Sequence, residues 1–302
     1  MTPPSRAALV IINPLSGRGR RQSQIEAHVK LAQDVLGANG YDVVVRPTTQ
    51  AGDAHAFARQ AVASNMDLVI AWGGDGTVNE TASALIHSEV ALGIVPAGSG
   101  NGLAGDLLIP FDARAALRLA ATGRTVTIDA GQVNDSLFFN IAGVGIDAVI
   151  AARFSERGIR KRGPLAYVQL TASELLRYNC QTYDLTLDGE RASHRAMLVA
   201  FANGRQFGNR MFIAPGARLD DGLLEVVIVE DLPIFEIARR LPSLYRGTLM
   251  PGRGVFMRAA QSCHVKSVGP IPFHVDGEPR LGSSEITVRT HRAALRVRAA
   301  GT

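Results

Sequence analysis

Two glycine-rich turns constrain this chain most. Gly73-Gly74-Asp75-Gly76-Thr77 follows the apolar run Leu68 to Trp72, and Gly98-Ser99-Gly100-Asn101-Gly102 follows Ala91 to Val95. Each turn precedes a segment with helical spacing, so each reads as a strand, a glycine turn and a helix. Glycine tolerates positive φ and lets the backbone approach a ligand with no Cβ in the way. A helix opening on such a turn aims free N–H groups and the positive end of its dipole at an anion. Two such turns at strand ends predict a surface for a polyphosphate, a nucleotide above all.

The surrounding sequence supports a parallel sheet. Ala8 to Ile12 and Tyr41 to Arg46 read as strands, Gln22 to Leu36 and Gly52 to Ser64 as helices, and Asp112 to Ala121 as a further helix. This βαβα order predicts an α/β unit. After about Thr127 the pattern changes to short alternating runs: Tyr183 to Leu187, Met197 to Ala202, Leu223 to Val229 and Ile286 to Val288. Turn signals such as Asp188-Gly189 and Asp276-Gly277 lie between them, as in an antiparallel β domain. Helical interruptions are expected at Leu165 to Arg177 and at Ile234 to Arg246, the latter broken at Pro242. No linker separates the two textures.

Composition excludes several classes. With 302 residues, 46% of them apolar and 20% charged, the chain is long enough for two globular domains. Cys180 and Cys263 are the only cysteines, too few for a disulfide framework, which points to a reducing compartment. No apolar run approaches the roughly 18–20 residues of a membrane span, and Ala7 to Ile12 is too short for a signal-peptide core. The expected location is the cytoplasm. The net charge of +5 suits anionic partners, and Arg153, Arg157, Arg160, Lys161 and Arg162 crowd together. That cluster is either a solvated loop or a contact for an anionic membrane surface. Aromatics are few there, Phe154 alone falling within the cluster, so nucleic-acid binding has no positive support.

Several motifs carry chemistry, each with a structural alternative. Asn13-Pro14-Leu15-Ser16-Gly17-Arg18-Gly19 is either a phosphate-side loop or an ordinary βα turn. Asp75, inside a phosphate-facing turn, is either a metal or proton handler or the cap of a helix starting near Thr77, with Asn79 and Glu80 on its first turn. Gly100 to Gly105 matches GxGxxG, but not in the first βα unit and without the required acidic residue downstream. The adjacent carboxylates of Asp220 and Asp221 suit either Mg²⁺ or a solvated turn. Asp-Gly-Glu occurs twice, at Asp188 to Glu190 and at Asp276 to Glu278. The first reads as a hairpin. The second has the more apolar surroundings, which favour a working carboxylate.

Taken together, these residues resemble the diacylglycerol kinase catalytic-domain family, which includes bacterial lipid kinases, sphingosine kinases and ceramide kinases. The resemblance rests on Asn13-Pro14, Ser16-Gly17, Gly73 to Glu80, Pro96 to Ala104, Asn140 to Ala148, Asn203-Gly204, Pro215 to Leu223 and Asp276 to Glu278, and spans nearly the whole chain. It implies an α/β ATP-binding domain over 1–128, like that of NAD kinase and phosphofructokinase and completed by 288–302, and a C-terminal β-sandwich lipid-substrate domain over 129–287.

The same resemblance implies an ATP- and Mg²⁺-dependent kinase acting on a lipid alcohol, with a homodimer compatible. It would place the nucleotide against Asn13, Thr48, Gly73, Gly74, Asp75, Gly76, Thr77, Asn79 and Ser99. A structural Mg²⁺ would lie on Asp221 and the backbone oxygens of Arg218 and Leu223. Asp220, Asp129 and Ser99 would form a polar network reaching the catalytic Mg²⁺. Glu278 would be the general base, with Asp276 next. Many bacterial members carry Gly-Thr-x-Asn-Asp where this chain has Gly98 to Gly102, a form that looks more like the sphingosine and ceramide kinase branch. Competing readings are an NAD kinase-like enzyme and a non-catalytic lipid or nucleotide sensor.

Overall fold

The computed structural model describes residues 6–16, 22–156, 173–175, 177–208 and 210–300. The chain divides into two compact units, one of residues 1–128 with 293–302 and one of 129–292.

The first unit is a parallel sheet covered on both faces. Its elements are β1 (Arg6–Ile12), α1 (Gln22–Gly37), β2 (Tyr41–Pro47), α2 (Asp53–Ala63), β3 (Leu68–Gly73), α3 (Asp75–Leu85), β4 (Ala91–Pro96), α4 (Gly102–Asp106) and α5 (Ala113–Thr122). The strands run parallel in the order β4-β3-β1-β2. Every residue of β3 and β4 is buried, which is why their sequences are unbroken apolar runs without alternation. Asp112 caps α5 by accepting the Ala115 N–H at 2.8 Å. The segment after the second glycine turn forms only the five-residue α4, shorter than its spacing suggested.

His28 of α1 stacks on Trp72 of β3, ring centroids 4.3 Å apart. Burial lowers the His28 pKa. Histidine in the unfolded chain titrates near 6.5, so below that pH the unfolded state binds more protons than the folded one and stability falls as pH falls. His28→Phe is expected to flatten this acid limb, read as the difference in Tm between pH 7.5 and pH 5.5.

The second unit is antiparallel. It holds β5 (Arg124–Val133, entering from the first unit), β6 (Ser136–Phe138), β7 (Ile141–Gly145), α6 (Ile146–Glu156), β8 (Gln181–Leu187), β9 (Glu190–Ala202) and β10 (Leu224–Glu230). It continues with α7 (Ile234–Arg246), β11 (Val255–Ala260), β12 (Ser262–Lys266), β13 (Pro272–Val275), β14 (Glu278–Leu281) and β15 (Glu285–Ala299). The last residues of β15 return to the first unit, where Val297 pairs with Leu92 in parallel register.

Strand alternation in this unit feeds two cores. Val199 and Phe201 of β9, Val226 and Ile228 of β10, and Ala142 and Val144 of β7 point into one core with Tyr183, Val265 and Val288. Their neighbours Leu198, Ala200, Val227 and Ile141 point into the other, with Ile146 and Ile150 of α6 and with Ile237 and Leu244 of α7 against it. The period of two thus fills a sandwich interior on one side and a helix-covered face on the other. Contrary to the expected break at Pro242, α7 runs continuously through it. Pro242 is exposed, so the carbonyl it leaves unbonded a turn earlier can meet water.

Candidate active site

In the first unit, β2 lies on one side of β1 and β3 on the other, so the chain changes direction between β1 and β3. Open α/β sheets hold ligands beyond the carboxyl ends of the strands at such a switch point. Asn13 stands there, directly after β1. Its Nδ2 donates to Thr77 Oγ1 at 3.0 Å, its Oδ1 accepts the Leu15 N–H at 2.9 Å, and its own N–H donates to the Trp72 carbonyl. Thr48 follows β2, its N–H bonded to the Ile12 carbonyl at 2.8 Å. Beyond it, Asp53 Oδ2 accepts Thr49 N–H, Thr49 Oγ1–H and Gln50 N–H, which lower the Asp53 pKa. Glu80 Oε1 accepts the Gly52 N–H at 3.0 Å. Asn13, Thr48 and Thr77 therefore sit at three adjacent strand ends.

The two glycine turns touch. A Cβ on Gly98 would lie 2.5 Å from the Gly74 Cα, and one on Gly74 would lie 3.1 Å from the Gly98 Cα. A side chain at Gly98 has no room for this approach, and one at Gly74 would be tight. The helix α3 begins at Asp75 itself, with Gly74 as its N-cap, rather than near Thr77. The Asp75 carboxylate reaches to the other turn, where Oδ2 accepts Asn101 N–H at 2.8 Å and Oδ1 accepts Gly102 N–H at 2.9 Å. It is a clasp between the turns and caps α4.

Gly102 thus supplies the second backbone N–H that Asp75 binds. Asn101, in the left-handed region at φ 53°, pins Gly98 from both sides: Oδ1 accepts its N–H and Nδ2 donates to its carbonyl. Nothing in the sequence pattern singled out Asn101 for that role. Gly76 and Asn79 lie in the first turns of α3, and Ser99 is exposed at the tip of the second glycine turn.

In the second unit, the loop before β10 is fastened to Asp129, which is buried. The Asp129 N–H donates to the Leu219 carbonyl at 2.6 Å and its Oδ2 accepts the Gly222 N–H at 2.5 Å. Asp220 is exposed and faces Arg218 at 3.4 Å. Asp221 Oδ1 accepts the Leu223 N–H at 3.0 Å. Burial, and then the negative charge of Asp221, push the Glu225 carboxyl up.

Among the described residues, no three His, Cys, Asp or Glu side chains gather as a metal cluster. A site on Asp221 with the carbonyls of Arg218 and Leu223 would use one carboxylate and backbone oxygen. That all-oxygen donor set suits a hard cation such as Mg²⁺.

Both Asp-Gly-Glu tripeptides are two-residue hairpin turns with positive φ at Asp and Gly, at 46° and 92° for Asp188-Gly189 and at 47° and 85° for Asp276-Gly277. This is the geometry of type I′ turns. In both, the aspartate binds backbone amides of a neighbouring segment. Asp188 accepts from Gln261 N–H, Ser262 N–H and Ser262 Oγ–H. Asp276 accepts from Phe139, Asn140 and Ile141 N–H at 2.9, 2.9 and 3.1 Å.

Asp276 thus positions a turn with both oxygens, while Glu278 opens β14 and is exposed. Its counterpart Glu190 is ion-paired with Arg258. Asp276→Ala is expected to cost about 1–3 kcal/mol in urea unfolding, since partly buried amides lose their acceptor. Asp188→Ala, at an exposed turn, is expected to cost less.

A largely buried pair backs the Glu278 hairpin and was not foreseen. His274 Nδ1 accepts the Gly277 N–H at 3.2 Å, which places the ring proton on Nε2, 3.0 Å from Asp147 Oδ2. Asn203 Nδ2 donates to the carbonyls of Asp129 and Phe139, bracing the Asp129 strand against the segment that Asp276 holds. The Oδ1 atoms of Asn140 and Asn203 are buried without a partner among the described residues, the setting in which ordered water completes an amide.

Gly17, Arg18, the stretch Arg157 to Arg162 and most of the helix expected at Leu165 to Arg177 lie outside the described residues. Arg153, at the start of the basic stretch, pairs with Glu174 at 3.9 Å.

Residues 7–133 match the model of the diacylglycerol kinase catalytic domain, and 140–299 that of the YegS C-terminal NAD kinase β-sandwich-like domain. A protein of Klebsiella pneumoniae named "Probable lipid kinase YegS-like" is 34% identical over 97% of this chain and 95% of its own length. A Mycobacterium tuberculosis protein named diacylglycerol kinase is 31% identical over 89% of this chain and 87% of its own. In fold, the crystal structure of a diacylglycerol kinase from Bacillus anthracis superposes with a TM-score of 0.75 over 98% of this chain and 97% of that one, at 20% identity. The architecture is accordingly an α/β catalytic domain followed by a β-sandwich-like domain, and the chain belongs to the diacylglycerol kinase catalytic-domain family, as a kinase enzyme.

Proposed function

We propose that this protein transfers the γ-phosphoryl group of Mg-ATP to a hydroxyl of a lipid alcohol, a diacylglycerol or a sphingoid base. The observation that carries the nucleotide half is the pair of touching glycine turns at the carboxyl ends of β3 and β4, clasped by Asp75. Asn13, Thr48, Gly73 to Thr77, Asn79 and Ser99 would bind ATP there, with residues 1–128 and 288–302 as the nucleotide domain. Residues 129–287 would hold the lipid acceptor.

Phosphoryl transfer depends on positioning and charge neutralisation more than on covalent chemistry. Mg²⁺, when bound, neutralises phosphate charge. Asp221 and the Arg218 and Leu223 carbonyls would hold a structural ion, and Asp220 with Asp129 would extend a polar network toward the catalytic one. Glu278 would take the proton of the lipid hydroxyl as its oxygen bonds to phosphorus and ADP departs. Asp276 would set the turn that presents Glu278. The reading predicts that ADP release depends on Mg²⁺ and rises when micelles containing diacylglycerol or sphingosine are added. ADP release driven by NAD and by no lipid would replace it with an NAD kinase-like activity.

A further inference from the structure

Among the described residues, the outer face of α7 has no packing partner. Ile237 and Leu244 turn inward to the second core. Ile234, Ala238, Leu241 and Tyr245 recur at helical spacing on another face, and Ile234, Leu241 and Tyr245 are 49%, 43% and 52% exposed. Phe235, 65% exposed, flanks that stripe, and Met250, just beyond the helix, is 72% exposed. No residue of α7 is buried. An ordinary surface helix spends its apolar residues on the core, whereas this one turns most of them to solvent.

The charges beside the stripe are mostly positive. From 234 to 253 the sequence holds Arg239, Arg240, Arg246 and Arg253 against Glu236 alone, four positive less one negative, net +3. Glu236 is engaged by both Arg239 and Arg240. Among the described residues, no helix is long and apolar enough to cross a membrane.

We propose that the Ile234–Tyr245 stripe of α7 docks on an anionic phospholipid bilayer. An apolar helix face bordered by arginine is the pattern of helices that lie in the membrane interface, with apolar side chains among the acyl chains and cations at the headgroups. A second copy of this chain fits less well, because two-fold apposition would bring Arg239 and Arg246 of both copies together. The choice of a bilayer rests on the reading of the acceptor as a lipid. The test is independent of phosphorylation.

Sedimentation of the full chain with large unilamellar vesicles tests it, comparing phosphatidylcholine with 30% phosphatidylglycerol against phosphatidylcholine alone. The wild type is expected to partition at least tenfold better to the anionic vesicles, falling with salt. Leu241→Glu/Tyr245→Glu is expected to lose at least tenfold of that binding with ATP affinity and Tm unchanged, and Arg239→Glu/Arg246→Glu to lose its salt-sensitive part. Failure of the wild type to bind anionic vesicles, or equal binding by Leu241→Glu/Tyr245→Glu, would overturn the proposal. So would a double variant that turns a dimer into a monomer and leaves vesicle binding intact. Vesicle binding without lipid phosphorylation would uphold the docking surface and count only against the proposed reaction.

Discussion

Glu278→Gln is expected to lower kcat for lipid phosphorylation about 10²- to 10⁴-fold, the usual contribution of a positioned general base. ATP affinity and Tm should stay as in the wild type. The substitution keeps the size of the side chain and removes its capacity to accept a proton. Glu278 opens β14 on the exposed side of its hairpin, so the change leaves packing intact. The duplicated turn supplies a matched comparison: Glu190→Gln removes the same group at the same place in the other Asp-Gly hairpin, where it pairs with Arg258, and should leave kcat unchanged. Equal losses from both variants would mean that the effect belongs to hairpin stability.

Gly98→Ala is expected to abolish productive nucleotide binding. Its new methyl would stand 2.5 Å from the Gly74 Cα and 3.0 Å from Asn101 Oδ1. Neither neighbour can yield cheaply, since one is backbone and the other is held to Gly98 by two hydrogen bonds. Forcing the turns apart should cost about 1–3 kcal/mol, as overpacking does, and lower Tm by on the order of 5 °C. It would also stretch the Asp75 bonds to Asn101 and Gly102, which set where the turn amides point. ATP affinity, by isothermal titration, should fall at least tenfold. Alanine at Gly37, where a Cβ meets nothing within 4 Å, should leave affinity unchanged.

The sheet-forming half of the chain was readable because parallel strands buried on both faces leave unbroken apolar runs. The glycine turns were readable because close backbone approach, as at Gly98, leaves no room for a side chain. What escaped reading depends on partners distant in sequence. Asp75 looked like a local cap or a metal handler, and its carboxylate accepts from amides 26 and 27 residues away. His274 and Asp147 meet across 127 residues, and no spacing rule connects them. The two Asp-Gly-Glu turns are alike in sequence and in backbone, and they differ in what their glutamates meet. The continuity of α7 through Pro242 escaped because a proline on the solvent side of a helix leaves its unmatched carbonyl to water.

The measurement that bears most directly on the central claim is label transfer from γ-³²P ATP with Mg²⁺, the wild type presented with diacylglycerol, sphingosine, ceramide, monoacylglycerol and NAD, products separated by chromatography. The predicted result is label in a lipid phosphate, lost when Mg²⁺ is chelated and lost in Glu278→Gln. Label in NAD alone, or none in any lipid while ATP remains bound, would contradict the account.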